Sequence, residues 1–70
     1  MEQLKLAREV ASTLSLLDDK GELIELDSIG LVEYVLALEE HLGLQLGDEV
    51  SMENFKSLQT VSAMLARVVP

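Results

Sequence analysis

No cysteine occurs in the 70 residues, which excludes a disulfide framework, a thiolate metal site and a cysteine nucleophile. Tryptophan is absent too, Tyr34 and Phe55 are the only aromatics, and Pro70 is the only proline. The predicted core is therefore built from Leu, Val, Ile, Ala and Met. Such a core has no rigid aromatic wedges and deforms readily. Bases are scarce: five Lys and Arg stand against thirteen Asp and Glu, a formal charge of −8. That excess works against binding nucleic acid or an anionic membrane face and favours salt-sensitive encounters with basic protein surfaces. The plainer reading is that it keeps a small protein soluble. No apolar run approaches membrane-spanning length, and Met1-Glu2-Gln3 lacks the basic start of a targeting segment. The length predicts one domain over residues 1–70 with a thin core, and the lack of cysteine fits a cytoplasmic setting.

Within that frame the apolar residues recur at helical spacing. Leu6, Val10, Leu14 and Leu17, with Ala7, predict a first helix from residue 2 to about 17, with Lys5, Arg8, Glu9 and Ser12 outward. Asp18-Asp19-Lys20-Gly21 stops it. Residues 22–26 are predicted as an extended connection that tucks Leu23 or Ile24, and Leu26, under the bundle. The central helix runs from Ser28 to about Leu42, with an Asp-Ser pair at its mouth and Gly43 ending it. Leu31, Val35, Leu38 and Leu42 form its core stripe. Ile29, Val32 and Leu36 form a second stripe, bordered by Glu33 and Glu40, that a small core does not need. Leu44 and Leu46 are predicted to anchor the next loop. Ser51 caps a short third helix from Met52 to about Lys56 with Phe55 inward, and Ser57 caps a last helix from Leu58 to about Val69. Its buried face is Leu58, Val61, Leu65 and Val68. The expectation is all-α: a four-helix bundle with a short third helix.

Several chemistries fail on spacing. Ser28 as a catalytic nucleophile needs a base within hydrogen-bond reach, yet the only histidine, His41, lies thirteen residues along the same helix, roughly 20 Å away. Leu26 stands where a nucleophile elbow needs its first glycine. His41 is expected to face solvent. Glu39-Glu40 and Asp48-Glu49 are adjacent pairs that point apart, and default to a solvated face. Aligning Gly21 with the required glycine of a calcium loop puts Leu16 at the first ligand position, so that reading fails as well. From local sequence, Ser28 reads first as a helix N-cap.

A resemblance changes the weight on Ser28. Asp27-Ser28-Ile29, then Leu31-Val32-Glu33 and Ala37-Leu38-Glu39-Glu40-His41-Leu42-Gly43, strongly resembles the acyl carrier proteins. Their pattern is Asp-Ser-Leu followed by a Val/Glu-rich helix closing on Glu-Glu-x-Phe-Gly. Gly43-Leu44-Gln45-Leu46, Asp48-Glu49 and the stretch from Ser51 to Leu58 resemble that family's acidic loop, capped short helix and final helix. The similarity covers residues from about 24 to 69, and more loosely the first helix. One departure is Glu25, which holds the place of a usual glycine two residues before the Asp, after a shorter first loop.

The resemblance implies a free-standing carrier of the acyl-carrier type with no catalysis of its own. A phosphopantetheinyl transferase would move 4′-phosphopantetheine from coenzyme A onto Ser28, with Mg²⁺ needed only during attachment and Asp27 assisting. The arm's thiol would hold an acyl group as a thioester for ligase, acyltransferase and synthase enzymes of a fatty-acid, polyketide or related pathway. An aminoacyl or peptidyl carrier is the near alternative, and an unmodified acidic interaction module the remoter one. The partner face expected on this reading comprises Ile29, Val32, Glu33, Leu36, Glu39 and Glu40, with Glu53 on the third helix. A monomer is expected, and a long acyl chain would hide between the central and third helices.

Overall fold

A computed structural model describes residues 3–69. Three α-helices are present among them: α1 (Gln3–Thr13), α2 (Ser28–Leu42) and α3 (Leu58–Val68), with a 3₁₀ turn at Gly47–Glu49. The all-α expectation holds, but the short third helix is missing and the bundle has three helices instead of four. The first residue expected in helix one, Glu2, and the terminal Pro70 lie outside the described residues.

α1 ends about four residues earlier than its apolar spacing predicts. The Leu16 N–H reaches back to the Ala11 carbonyl at 2.8 Å, and the Ser15 N–H to that of Ser12 at 3.1 Å. This is a Schellman stop, built with Ser15 in the left-handed region at φ 61° where glycine is usual. Leu16, released from the helix, turns into the core. A tight reversal follows, closed by Asp18 N–H to Glu22 carbonyl (2.8 Å) and Ile24 N–H to Leu16 carbonyl (2.9 Å). The Asp18 carboxylate accepts the N–H groups of Lys20 and Glu22, both at 2.9 Å. Leu23 and Leu26 are buried while Ile24 is left exposed, which decides between the two residues the sequence offered.

The stretch Met52–Lys56 forms successive turns. Ser51 accepts the Asn54 N–H at 3.2 Å, but the only backbone bond that follows is Phe55 N–H to Met52 carbonyl. No backbone bond of the i to i+4 kind that defines an α-helix forms within these turns. At the far end Ser57 is extended (φ −151°, ψ 166°) and begins a new one. Asn54 also donates to the Glu49 carbonyl at 2.6 Å, tying the turns to the preceding loop. Ser57 and Thr60 make reciprocal bonds of 3.1 and 3.0 Å, a capping box that starts α3.

α1 packs against both α2 and α3 around a core whose most enclosed large side chains are Tyr34, Leu38, Val61, Met64 and Leu65. Of the stripe predicted on α2, Val35 and Leu38 are buried, and Leu31 and Leu42 pack on the core's edge. The expectation of a core without aromatic wedges is corrected. Tyr34 and Phe55 are both buried and meet edge to face, with ring centroids 5.6 Å apart at 77°. The Tyr34 hydroxyl donates to the Ala7 carbonyl at 2.6 Å, bolting α2 to α1.

Candidate functional site

α2 opens on Asp27 in an extended conformation (φ −86°, ψ −178°), with Oδ1 accepting the Gly30 N–H at 2.7 Å. Asp27, not Ser28, is therefore the N-cap, and Ser28 is the first residue inside the helix. Gly30 lets the carboxylate sit this close, since a Cβ there would lie 3.2 Å from Asp27 Oδ1. Ser28 is exposed, and its hydroxyl has no hydrogen-bond partner among the described residues. The first intrahelical bond is Leu31 N–H to the Asp27 carbonyl, so the amides of Ser28 and Ile29 precede the ladder. A free hydroxyl thus stands at the positive end of a fifteen-residue helix. An anion attached there is electrostatically favoured. The far end stops at Gly43, left-handed at φ 68°, whose N–H reaches the Glu39 carbonyl at 2.9 Å.

The exposed stripe on α2 is present as expected: Ile29 is 71 %, Val32 55 % and Leu36 59 % accessible. Glu33 and Glu40 are exposed beside it. Glu39 departs from the expected face. It is only partly exposed, and its carboxylate accepts the Leu46 N–H at 2.9 Å, so it braces the loop after α2. Glu53 is exposed on the turns that replace the third helix. Ile24, Val50 and Met52 add exposed apolar surface that the sequence reading missed. Met52 shared its signal with the expected helix, and the other two sit in loops, where periodicity is silent.

Two openings flank the residues leading into Ser28. A cleft of about 540 Å³ lies between Leu23, Leu26, Met52 and Phe55, rimmed by Glu25, Glu53 and Lys56. A smaller one of about 260 Å³ lies among Leu16, Ile24, Ile29 and Gly30, with Glu25, Asp27 and Glu33 at its edge. Glu25, the departure from the carrier pattern, borders both. Tyr34 on α2 and Phe55 meet edge to face in the region where a long acyl chain was expected to hide, beside the larger cleft. Burial pushes the Tyr34 phenol above its ordinary range. His41 is exposed on the last turn of α2, its Nδ1 3.2 Å from the Ala37 carbonyl. No cluster of three or more His, Cys, Asp or Glu able to hold a metal ion is found among the described residues, and no helix there is long and apolar enough to cross a membrane.

The mouth of the fifteen-residue α2 thus holds an exposed serine hydroxyl with no hydrogen-bond partner among the described residues. The family model for the phosphopantetheine attachment site matches residues 3–68, and the chain belongs to that family of carrier domains. No curated protein and no solved structure matches the chain. Membership implies a covalently attached 4′-phosphopantetheine group, and a carrier's work alongside modifying and acyl-transferring enzymes. The residues at the mouth of α2 fit such a group: the hydroxyl is open, and the adjoining amides and helix dipole favour its phosphate.

Proposed function

We propose that Ser28 is the attachment residue and that residues 1–70 act as a single carrier domain. The observation that carries this reading is the division of labour at the mouth of α2. Asp27 takes over the capping bond and leaves the Ser28 hydroxyl free. In the attachment step Ser28 Oγ bonds to the phosphorus that bears the pantetheine in coenzyme A. The pyrophosphate P–O bond breaks, adenosine 3′,5′-bisphosphate leaves, and the hydroxyl proton passes to a base on the transferase. Asp27 Oδ1 is engaged with Gly30, so its second oxygen is the one available to the Mg²⁺ that the transferase uses.

Once attached, the arm supplies a terminal thiol that holds cargo as a thioester; a reducing cytoplasm would keep that thiol free. The protein's own contribution is address and display. Ile29, Val32 and Leu36 offer apolar contact to partner enzymes, and Glu33, Glu40 and Glu53 meet their Lys and Arg. Rim charges of this kind set encounter rate and partner choice more than affinity. Glu39 takes second place on this face because it is held by Leu46. We assign the cargo as an acyl group of a fatty-acid, polyketide or related pathway, carried by a monomer. Incubating the protein with coenzyme A, Mg²⁺ and a broad-specificity phosphopantetheinyl transferase tests the reading by mass spectrometry. One added arm, mapped to Ser28, is the expected result. An unmodified protein leaves an acidic interaction module. Mass analysis of the arm after loading in a cell extract separates acyl from aminoacyl cargo.

A further inference from the structure

Charge is distributed very unevenly along this chain. Residues 21–55 carry nine acids and no Lys or Arg, while residues 1–20 and 56–70 carry all five bases against four acids. Folding sharpens the contrast. Arg67 is consumed in an ion pair with Glu49 at 2.8 Å, also reaching Asn54. Of the remaining four bases, three come together. Arg8 from α1, Lys20 from the tip of the reversal and Lys56 from the residue before the α3 cap line one groove of about 340 Å³. Glu22 is the only acid on it, and Gln59 adds an uncharged polar group. All three basic side chains are exposed, and none has an ion-pair or hydrogen-bond partner among the described residues.

We infer that this groove is a second docking site, taking a short acidic segment of a partner protein. It goes beyond the proposed function: it involves neither Ser28 nor the stripe on α2. The occupant follows from charge complementarity. Three unpaired cations on an otherwise strongly negative molecule attract carboxylates. They stand on three separate segments along one groove, so a chain with spaced carboxylates offers each of them a partner. Screening permits it. At physiological salt the Debye length is about 8 Å, so the acids of α2 fade with distance while charges lining the groove act at contact. A nucleic acid, with its dense and extended charge, would meet the whole molecule's repulsion instead. A partner with a basic surface for α2 and an acidic segment for the groove would dock in one orientation, because swapping the two faces sets like charges together.

The test is an amide NMR titration of the unmodified protein with capped tetraglutamate at physiological salt, with capped tetraglutamine and inorganic phosphate run in parallel. The expected result is a saturable shift confined to amides around Arg8, Lys20, Gly21, Lys56 and Gln59, produced by tetraglutamate only and lost in 0.5 M salt. K20E with K56E should weaken binding about tenfold, and R8E should act in the same direction, whereas K5E, outside the groove, should weaken it much less. Circular dichroism confirms that each variant keeps its helices. Any of four results overturns the inference: no shift, equal response to tetraglutamine, saturation by phosphate as readily as by peptide, or concentration-dependent shifts without peptide that mark self-association. Arm attachment is read separately, so its failure and failure of the groove are distinguishable.

Discussion

Asp27 Oδ1 accepts the Gly30 N–H at 2.7 Å, and this one bond relieves Ser28 of any structural duty. Replacing Ser28 by Ala should abolish arm attachment while changing stability by less than about 0.5 kcal/mol, because no bond is lost. Asp27→Ala should cost about 1 kcal/mol through the lost cap. Asp27→Asn keeps a capping oxygen but removes the carboxylate, so it should slow attachment with little loss of stability. Thermal melts and transferase kinetics on the three variants check this. A Ser28→Ala protein that still gains an arm would move the site elsewhere.

The acids on α2 divide into two kinds, and substitutions should separate them. Reversing Glu33 and Glu40 to Lys should slow the transferase by about tenfold at low ionic strength, with the difference shrinking as salt is added. Melting temperature should barely move. Glu39→Ala should do the reverse, costing about 1–2 kcal/mol by stranding the partly buried Leu46 amide. Encounter rates measured by stopped flow at several salt concentrations, beside thermal melts, report the split.

The hydroxyl of Tyr34 is buried against the Ala7 carbonyl, and burial raises its pKa. Below about pH 10, the ordinary tyrosine value, the phenol is protonated in both folded and unfolded chains and contributes no pH dependence. Above it the unfolded chain loses the proton first, so stability should fall by about 1.4 kcal/mol per pH unit until the folded protein also ionises. Tyr34→Phe should remove that alkaline loss, at a cost of about 0.5–1.5 kcal/mol at neutral pH for the lost hydrogen bond, because the Ala7 carbonyl keeps its place within α1. Urea titrations at pH 7 to 11 would show it; parallel curves for the two proteins would rule it out.

Ser15 is the one non-glycine residue with positive φ among those described. Ser15→Gly should stabilise the protein by about 1 kcal/mol by relieving left-handed strain at the end of α1. Gly43→Ala at the end of α2 should destabilise by a similar amount, since its φ of 68° then carries a side chain. Denaturant midpoints for both variants test the pair.

Much of this was legible in one dimension. Both ends of α2 were, because an Asp-Ser pair and a glycine bracket a clean periodic run. The buried face of α3 was too, apart from Val68, which is only partly buried, and Met64, which the spacing passed over although it lies three residues after Val61. The end of α1 was hidden because its stop uses serine in place of glycine, so the apolar period ran on through Leu14 and Leu17 as if the helix continued. Ser51 and Phe55 imitate a third helix, acting as a cap and an inward anchor would, but in turns without an i to i+4 backbone bond. Tyr34 carried a signal that went unused. It stands three residues after Leu31 and four before Leu38, on the same stripe.

What the sequence by itself determined is local and periodic: where α2 begins and ends, that Ser28 stands at its mouth, which apolar residues on that helix face outward, and the net charge of −8. Those follow from helix geometry and end signals, which act over a few residues. Only the tertiary structure decided that Tyr34 meets Phe55, that Glu39 turns to Leu46, and that Arg8, Lys20 and Lys56 share one groove. Each of these joins segments whose meeting depends on how the loops close and how the helices pack, and no spacing along the chain encodes that.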